Sequence, residues 1–237
     1  MTEKTSPQQT PHIATSNNDL NKLRAAVLGA NDGIVSTAGI ILGVTGAAAS
    51  KEAVLVAGFA GLVAGAISMA AGEFVSVSSQ RDSEKAFLKH NQENMKTGKS
   101  SAAQELAEVY IERGLSKKTA AQAVKELEAK GVVELELEKE FGIDPDDLSS
   151  PWAAAIASAS AFTVGAAVPL LAVLFAPEEL RLGITVVAVL LSLILTGTLS
   201  AKAGQANQTR AALRVVVWGI GAMAITYAIG HLVGVSI

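Results

Sequence analysis

Five apolar stretches constrain this 237-residue chain more than any other feature. They run over roughly 25–48, 53–77, 152–175, 181–201 and 212–235, each near the ~20 residues needed to cross about 30 Å of hydrocarbon. A helix satisfies its own backbone N–H and C=O groups inside a bilayer. The expected fold is therefore all-α, a polytopic membrane protein with five transmembrane helices. Residues 81–149 interrupt the pattern. They hold fifteen of the twenty-two acidic and eleven of the nineteen basic residues, so a polar helical domain inserted between helices two and three is expected.

The remaining composition narrows the function. Charged residues make up 17% of the chain, below the roughly one quarter of a soluble domain. A net charge of −3 gives no reason to expect nucleic acid as a partner, and the absence of cysteine excludes thiolate metal sites, disulfides and thiol chemistry. No phosphate-binding loop or Ser–His–acid set is visible, so an enzyme is not expected, nor a resident cofactor. Residues 1–20 are polar and lack the basic-then-apolar order of a signal peptide, which reads as a disordered cytosolic tail. The expected division is that tail, helices one and two over 21–80, a cytosolic domain over 81–149, and helices three to five over 150–237.

Lys and Arg set the orientation. With the N-terminus in the cytosol, the tail, the insertion and the Lys202–Arg214 connection carry seventeen of the nineteen basic residues, against Lys51 and Arg181 outside. The C-terminus then lies outside. Small residues four apart, Gly29/Gly33 and Gly39/Gly43 in segment one and Gly61/Gly65 in segment two, predict close packing of these two segments. Pro169 in segment three frees a backbone carbonyl and favours a kink. In the insertion, the pattern predicts a helix over Ser101–Glu112 ended by Gly114, and a second capped by Ser116 and ended by Gly131. A third element runs from Val132 to Phe141. Its alternation suits a strand equally, and helix is preferred because no partner strand is visible.

Asp32 is the group that most demands explanation. An ionisable side chain in hydrocarbon faces a partner or a polar cavity. Segment one enters from the cytosol at Ala25 and segment two returns there at Val77. Asp32 and Met69 then both lie about 10–12 Å deep at 1.5 Å per residue. Glu73, four residues after Met69, shares its helix face one turn nearer the cytosol. Carboxylate oxygens with one soft sulfur suit a borderline first-row divalent ion better than Ca²⁺ or Mg²⁺, and the same carboxylates take protons when the metal is absent. Plain packing of Met69 and a helix-to-helix hydrogen bond from Asp32 are the competing readings. The insertion offers a second cluster: Glu105, Glu108 and Glu112 on its first helix, and Glu136 and Glu140 on its third element. Like charges at this spacing repel, which a cation between two such faces would offset, although a solvated face explains most acidic runs. His90, with Glu93 three residues on, is the one histidine retained as a ligand candidate.

The run Leu23-Arg24-Ala25-Ala26-Val27-Leu28-Gly29-Ala30-Asn31-Asp32-Gly33-Ile34-Val35-Ser36 resembles the first helix of the vacuolar iron transporter family. Ser68-Met69-Ala70-Ala71-Gly72-Glu73-Phe74-Val75-Ser76 resembles its second, and Ser158 to Leu171 its third. The resemblance implies a homodimer of five-helix subunits that moves Fe²⁺, sometimes Mn²⁺, out of the cytosol in exchange for protons. It also implies a membrane site at Asp32, Met69 and Glu73, with glutamates of the insertion gathering metal for it, here Glu105, Glu108, Glu136 and Glu140. One departure stands out. The two Glu-x-x-Glu pairs of the family's first insertion helix fall on Asn91, Asn94, Ala102 and Glu105, so one of four carboxylates remains. The competing function is a membrane-anchored divalent-metal sensor or binding protein without transport. The lack of a targeting sequence and the compact size suit a bacterial plasma membrane.

Overall fold

The computed structural model describes residues 17–97, 102–131 and 149–236, and among these every regular element is helical. Seven helices follow in order: α1 Asn17–Gly46, α2 Lys51–Thr97, α3 Ala102–Glu112, α4 Lys117–Glu128, α5 Pro151–Phe175, α6 Arg181–Ala203 and α7 Gln208–Ser236, with a 3₁₀ turn at Glu178–Leu180 before α6. Five of them, α1, α2, α5, α6 and α7, are long and apolar enough to cross a membrane. That bears out the all-α polytopic expectation.

α1 is the central helix and packs on each of the other four spanning helices. Its residues Ile34, Ala38 and Leu42 form one buried cluster with Val189 and Leu193 of α6 and Met223 of α7. Around the remaining circumference the large apolar side chains point outward, among them Phe59, Ile67, Val164, Leu191 and Trp218. Such a surface is stable only in an apolar solvent, because in water an exposed patch of this extent drives association.

Glycine decides who sits next to α1. A β-carbon on Gly29 or Gly33 would run into the backbone carbonyl of Ser158 or Phe162 on α5, and one on Gly165 of α5 would meet the carbonyl of Ala30. These two helices are thus in backbone-to-backbone contact. Gly43 and Gly46 do the same for α7, against Thr226 and Tyr227. The expectation that the glycines of segment one seat segment two is therefore corrected. α2 does pack on α1, but through side chains resting on its own glycines: Ile40 over Gly61, and Ile41 over Gly58. Small-residue spacing signals close approach and carries no label for the partner.

Polar contacts stitch both ends of α5. Pro151 opens it at a position where a missing N–H costs nothing, and the Ser150 hydroxyl accepts from the Ala153 amide at 3.4 Å. Asn21 Nδ2 at the start of α1 donates to Ser149 Oγ. At the opposite end Lys51 Nζ donates to the Leu174 carbonyl at 2.8 Å, one of the last-turn carbonyls that have no helical partner. Pro169 lies buried within α5, which continues past it to Phe175.

α3 and α4 pack on each other through Ala102, Leu106 and Val124. Ser116 caps α4, accepting from the Thr119 amide at 3.1 Å, and Gly114 and Gly131 take φ of +98° and +65° after their helices, as their positions suggested. The third element of the insertion lies outside the described residues.

Candidate metal pathway

Ala25 of α1, Val77 of α2 and Ala154 of α5 are buried in one cluster, so the two ends from which depth was counted are level. Asp32 lies seven residues past Ala25 and therefore on the same face of α1, the face that meets α2. Met69 lies eight residues before Val77. Both are about 10–12 Å from the shared level at 1.5 Å per residue. Phe162 supports the same register, because its backbone lies against Gly33 beside Asp32 and its ring against Gly65, one turn from Met69.

Burial differs among the three. Asp32 and Met69 are half-buried, whereas Glu73 is buried at 6% relative exposure. A buried carboxylate needs a partner, and Glu73 has one: Nη2 of Arg24 stands 3.4 Å from its Oε2. The Asp32 carboxylate meets no donor among the described residues, and only its backbone carbonyl is engaged, by Ser36 Oγ at 2.6 Å. Next to it, the buried Oδ1 of Asn31 is also unpartnered. One unpaired carboxylate level with a thioether, and one carboxylate a turn away held by a displaceable cation, form a set that can exchange protons and bind a soft-to-borderline cation. No group of three Asp, Glu, His or Cys converges among the described residues, so the set as it stands in one chain supplies two carboxylates.

Arg24 was not anticipated as part of this set. The sequence marked it only as a cytosolic cation. The counting that levelled Asp32 with Met69 also puts Arg24 within a few residues of Glu73's depth, so the signal was present.

The insertion residues fare differently. Glu105 is half-buried and Glu108 exposed on α3, while Glu136 and Glu140 fall outside the described residues. Glu93 is exposed and lies 3.8 Å from Lys89, an ordinary i,i+4 surface pair. The side chain of His90 is likewise outside the description.

A sequence profile of the VIT family matches residues 23–231. The chain is 43% identical over 213 residues to "Vacuolar iron transporter homolog 3" of Arabidopsis thaliana, covering 90% of this chain and 83% of that protein. It is 40% identical over 213 residues to "Vacuolar iron transporter homolog 5" of Oryza sativa subsp. japonica, covering 90% and 80%. To "Vacuolar iron transporter" of Acanthamoeba castellanii it is 37% identical over 211 residues, covering 89% and 78%. The profile spans both helices that carry Asp32, Met69 and Glu73, and with these relatives it places the chain in the VIT family.

Proposed function

We propose that this protein carries divalent iron, with manganese as a second cargo, out of the cytosol in exchange for protons. The observation that carries this reading is the common level of Asp32 on α1 and Met69 on α2, with Glu73 one turn nearer the end of the span and buried against Arg24. Names of the relatives supply the ion. In this mechanism Asp32 holds a proton when the cargo is absent while Glu73 stays paired with Arg24, and Met69 contributes a soft ligand that favours Fe²⁺ over Ca²⁺ and Mg²⁺. A cation arriving at Glu73 displaces the Arg24 guanidinium, which is half-exposed and free to swing toward water. Glu105, Glu108, Glu136 and Glu140 gather ions before the membrane step, with a weakened acidic set on that side because Asn91, Asn94 and Ala102 carry no charge.

A homodimer belongs to this proposal. Ala60, Ala64, Ser68, Gly72 and Ser76 recur every fourth residue on α2, and all five are exposed. Two hydroxyls and a glycine facing lipid gain nothing, whereas a stripe of small residues lets a second helix approach closely. A second copy of α2 would bring another Met69 and Asp32 toward the first, which raises the ligand count above the two carboxylates of one chain. Five crossings imply termini on opposite sides, and the basic residues favour a cytosolic N-terminus.

Flux in proteoliposomes tests the reading. Under an imposed pH gradient, wild type is expected to move Fe²⁺ and Asp32→Ala to move far less, and equal flux would remove Asp32 from the pathway. Metal-dependent proton flux separates a transporter from a membrane-anchored metal sensor, which gives none.

A further inference from the structure

A pocket of about 500 Å³ opens between the starts of α1 and α7 and the end of α6. Its wall is apolar except for Arg24, Asn31, Thr196, Ser200 and Arg214. The two cations lie nearer the ends of their spanning segments than Asn31 and Thr196 do. Asn31 lies seven residues beyond Arg24, about 10 Å further in. Thr196 lies at the matching depth on α6, with its hydroxyl already donated to the Ser192 carbonyl of its own helix at 2.9 Å. Arg214 has no carboxylate partner among the described residues. Arg24 gives one nitrogen to Glu73 and has further N–H donors at a side chain 55% exposed. A second, almost wholly apolar groove of about 620 Å³ runs alongside between α1, α5 and α6, sharing Leu23, Val27, Thr196 and Ser200 with the first.

The layout has a cationic mouth at the depth where the spanning segments begin and long apolar grooves beneath it. A free phosphate would use the arginines and leave the grooves unfilled. Acyl chains alone would leave Arg214 uncompensated. An amphiphile with an anionic head and long tails fits both parts, and in a membrane that molecule is present at high concentration.

We propose that this pocket binds an anionic phospholipid of the leaflet onto which it opens, with the phosphate on Arg214 and Arg24 and the acyl chains along the α1–α6 seam. Arg24 then stands between two anions, the lipid phosphate and the Glu73 carboxylate, so lipid occupancy bears on how firmly Glu73 is held.

Native mass spectrometry of protein released from phosphatidylcholine nanodiscs doped with phosphatidylglycerol tests the assignment. Wild type is expected to retain phosphatidylglycerol in preference to phosphatidylcholine. Generic attraction of a basic residue to an anionic surface contributes about 1 kcal/mol, roughly five-fold, wherever the residue sits near that surface. Arg210→Gln, on an exposed residue of the same helix outside the pocket, measures that background. Arg214→Gln is expected to lower retention by roughly ten-fold or more, beyond the background, because a charge-assisted hydrogen bond is lost as well. Should Arg214→Gln fail to fold, Arg214→Lys keeps the charge without the fork and is expected to give intermediate retention. Equal losses for the Arg210 and Arg214 variants, or no loss for either, would overturn the site. If inorganic phosphate or glycerol phosphate displaces the adduct as well as phosphatidylglycerol does, the pocket is a small-anion site and the lipid is wrong.

Discussion

Replacing Gly165 by alanine adds one methyl group where α5 meets α1 backbone to backbone. The new β-carbon would meet the Ala30 carbonyl oxygen and would lie 3.2 Å from both the Ala30 carbonyl carbon and the Ile34 amide nitrogen. All three are backbone atoms in the middle of a helix, so none can rotate aside, and α5 must move away from α1. Overpacking of this kind costs about 1–3 kcal/mol, and a rigid backbone neighbour puts it at the upper part of that range. Alanine recovers about 0.5–1 kcal/mol relative to glycine in a helix. The net loss is about 1–2 kcal/mol. For a chain of this size each kcal/mol moves the midpoint by roughly 2–4 °C, which gives a fall of about 2–8 °C. Heating of detergent-solubilised protein at one fixed scan rate, followed by size exclusion, reads the shift, the fixed rate being needed because such unfolding is usually irreversible. Gly221→Ala on α7 is the matched control, since a β-carbon there meets nothing within 4 Å. It is expected to leave the midpoint unchanged or raise it by a few degrees, roughly the helix-propensity gain alone. A Gly165→Ala protein as stable as wild type would refute the claim that α1 and α5 touch through their backbones.

Four further outcomes are expected. Arg24→Gln and Glu73→Gln should each weaken the fold by about 1 kcal/mol, discounted for the exposure of Arg24, and the double variant should lose less than their sum; strict additivity in thermal midpoints would mean the pair carries no coupling. Met69→Leu keeps the side-chain volume and should fold normally, yet Fe²⁺ flux should fall more than Mn²⁺ flux because the softer cation loses its thioether; parallel decreases would make Met69 a packing residue. A single Ser68→Cys should yield a disulfide-linked dimer on oxidation while Leu191→Cys on the lipid-facing side of α6 does not, an experiment made clean by the lack of native cysteine; the reverse pattern would move the dimer contact off α2. Ser116→Ala removes the α4 cap at a cost of about 1 kcal/mol, so amide exchange in the first turn of α4 should quicken by roughly five-fold, and unchanged protection there would disprove the cap's contribution.

The five spans were legible because hydropathy reports the surrounding solvent directly, and a run of that length has few alternatives. The relative level of α1 and α2 was legible too. Once Ala25 and Val77 are taken as the cytosolic ends, counting residues levels Asp32 with Met69, and the shared cluster of Ala25, Val77 and Ala154 supports the count. Lateral arrangement was not. Gly29 and Gly33 announce a close neighbour, but α2 and α5 both offer small residues, and the identity of the neighbour depends on how all five helices close around α1. Arg24 illustrates a different failure. A cation near a membrane end serves orientation in any sequence, so its second use as the partner of Glu73 shows only when both helices are in place. The length of α2 could have been read, since no Gly or Pro interrupts Glu73–Thr97 and nothing in that run stops a helix.

That length has a mechanical meaning. α2 runs unbroken for 47 residues, about 70 Å at 1.5 Å per residue, and Glu73 sits near its midpoint. Unlike α5 and α7, which lock to α1 through glycine-seated backbone, α2 rests on α1 through side chains over its own glycines. A stiff rod pivoting at Glu73 by ten degrees would sweep Thr97, about 36 Å away, through roughly 6 Å. The half of α2 beyond Glu73 is then a lever whose fulcrum is the buried carboxylate, and a force applied near its far end reaches Glu73 and Met69 with no loop to absorb it.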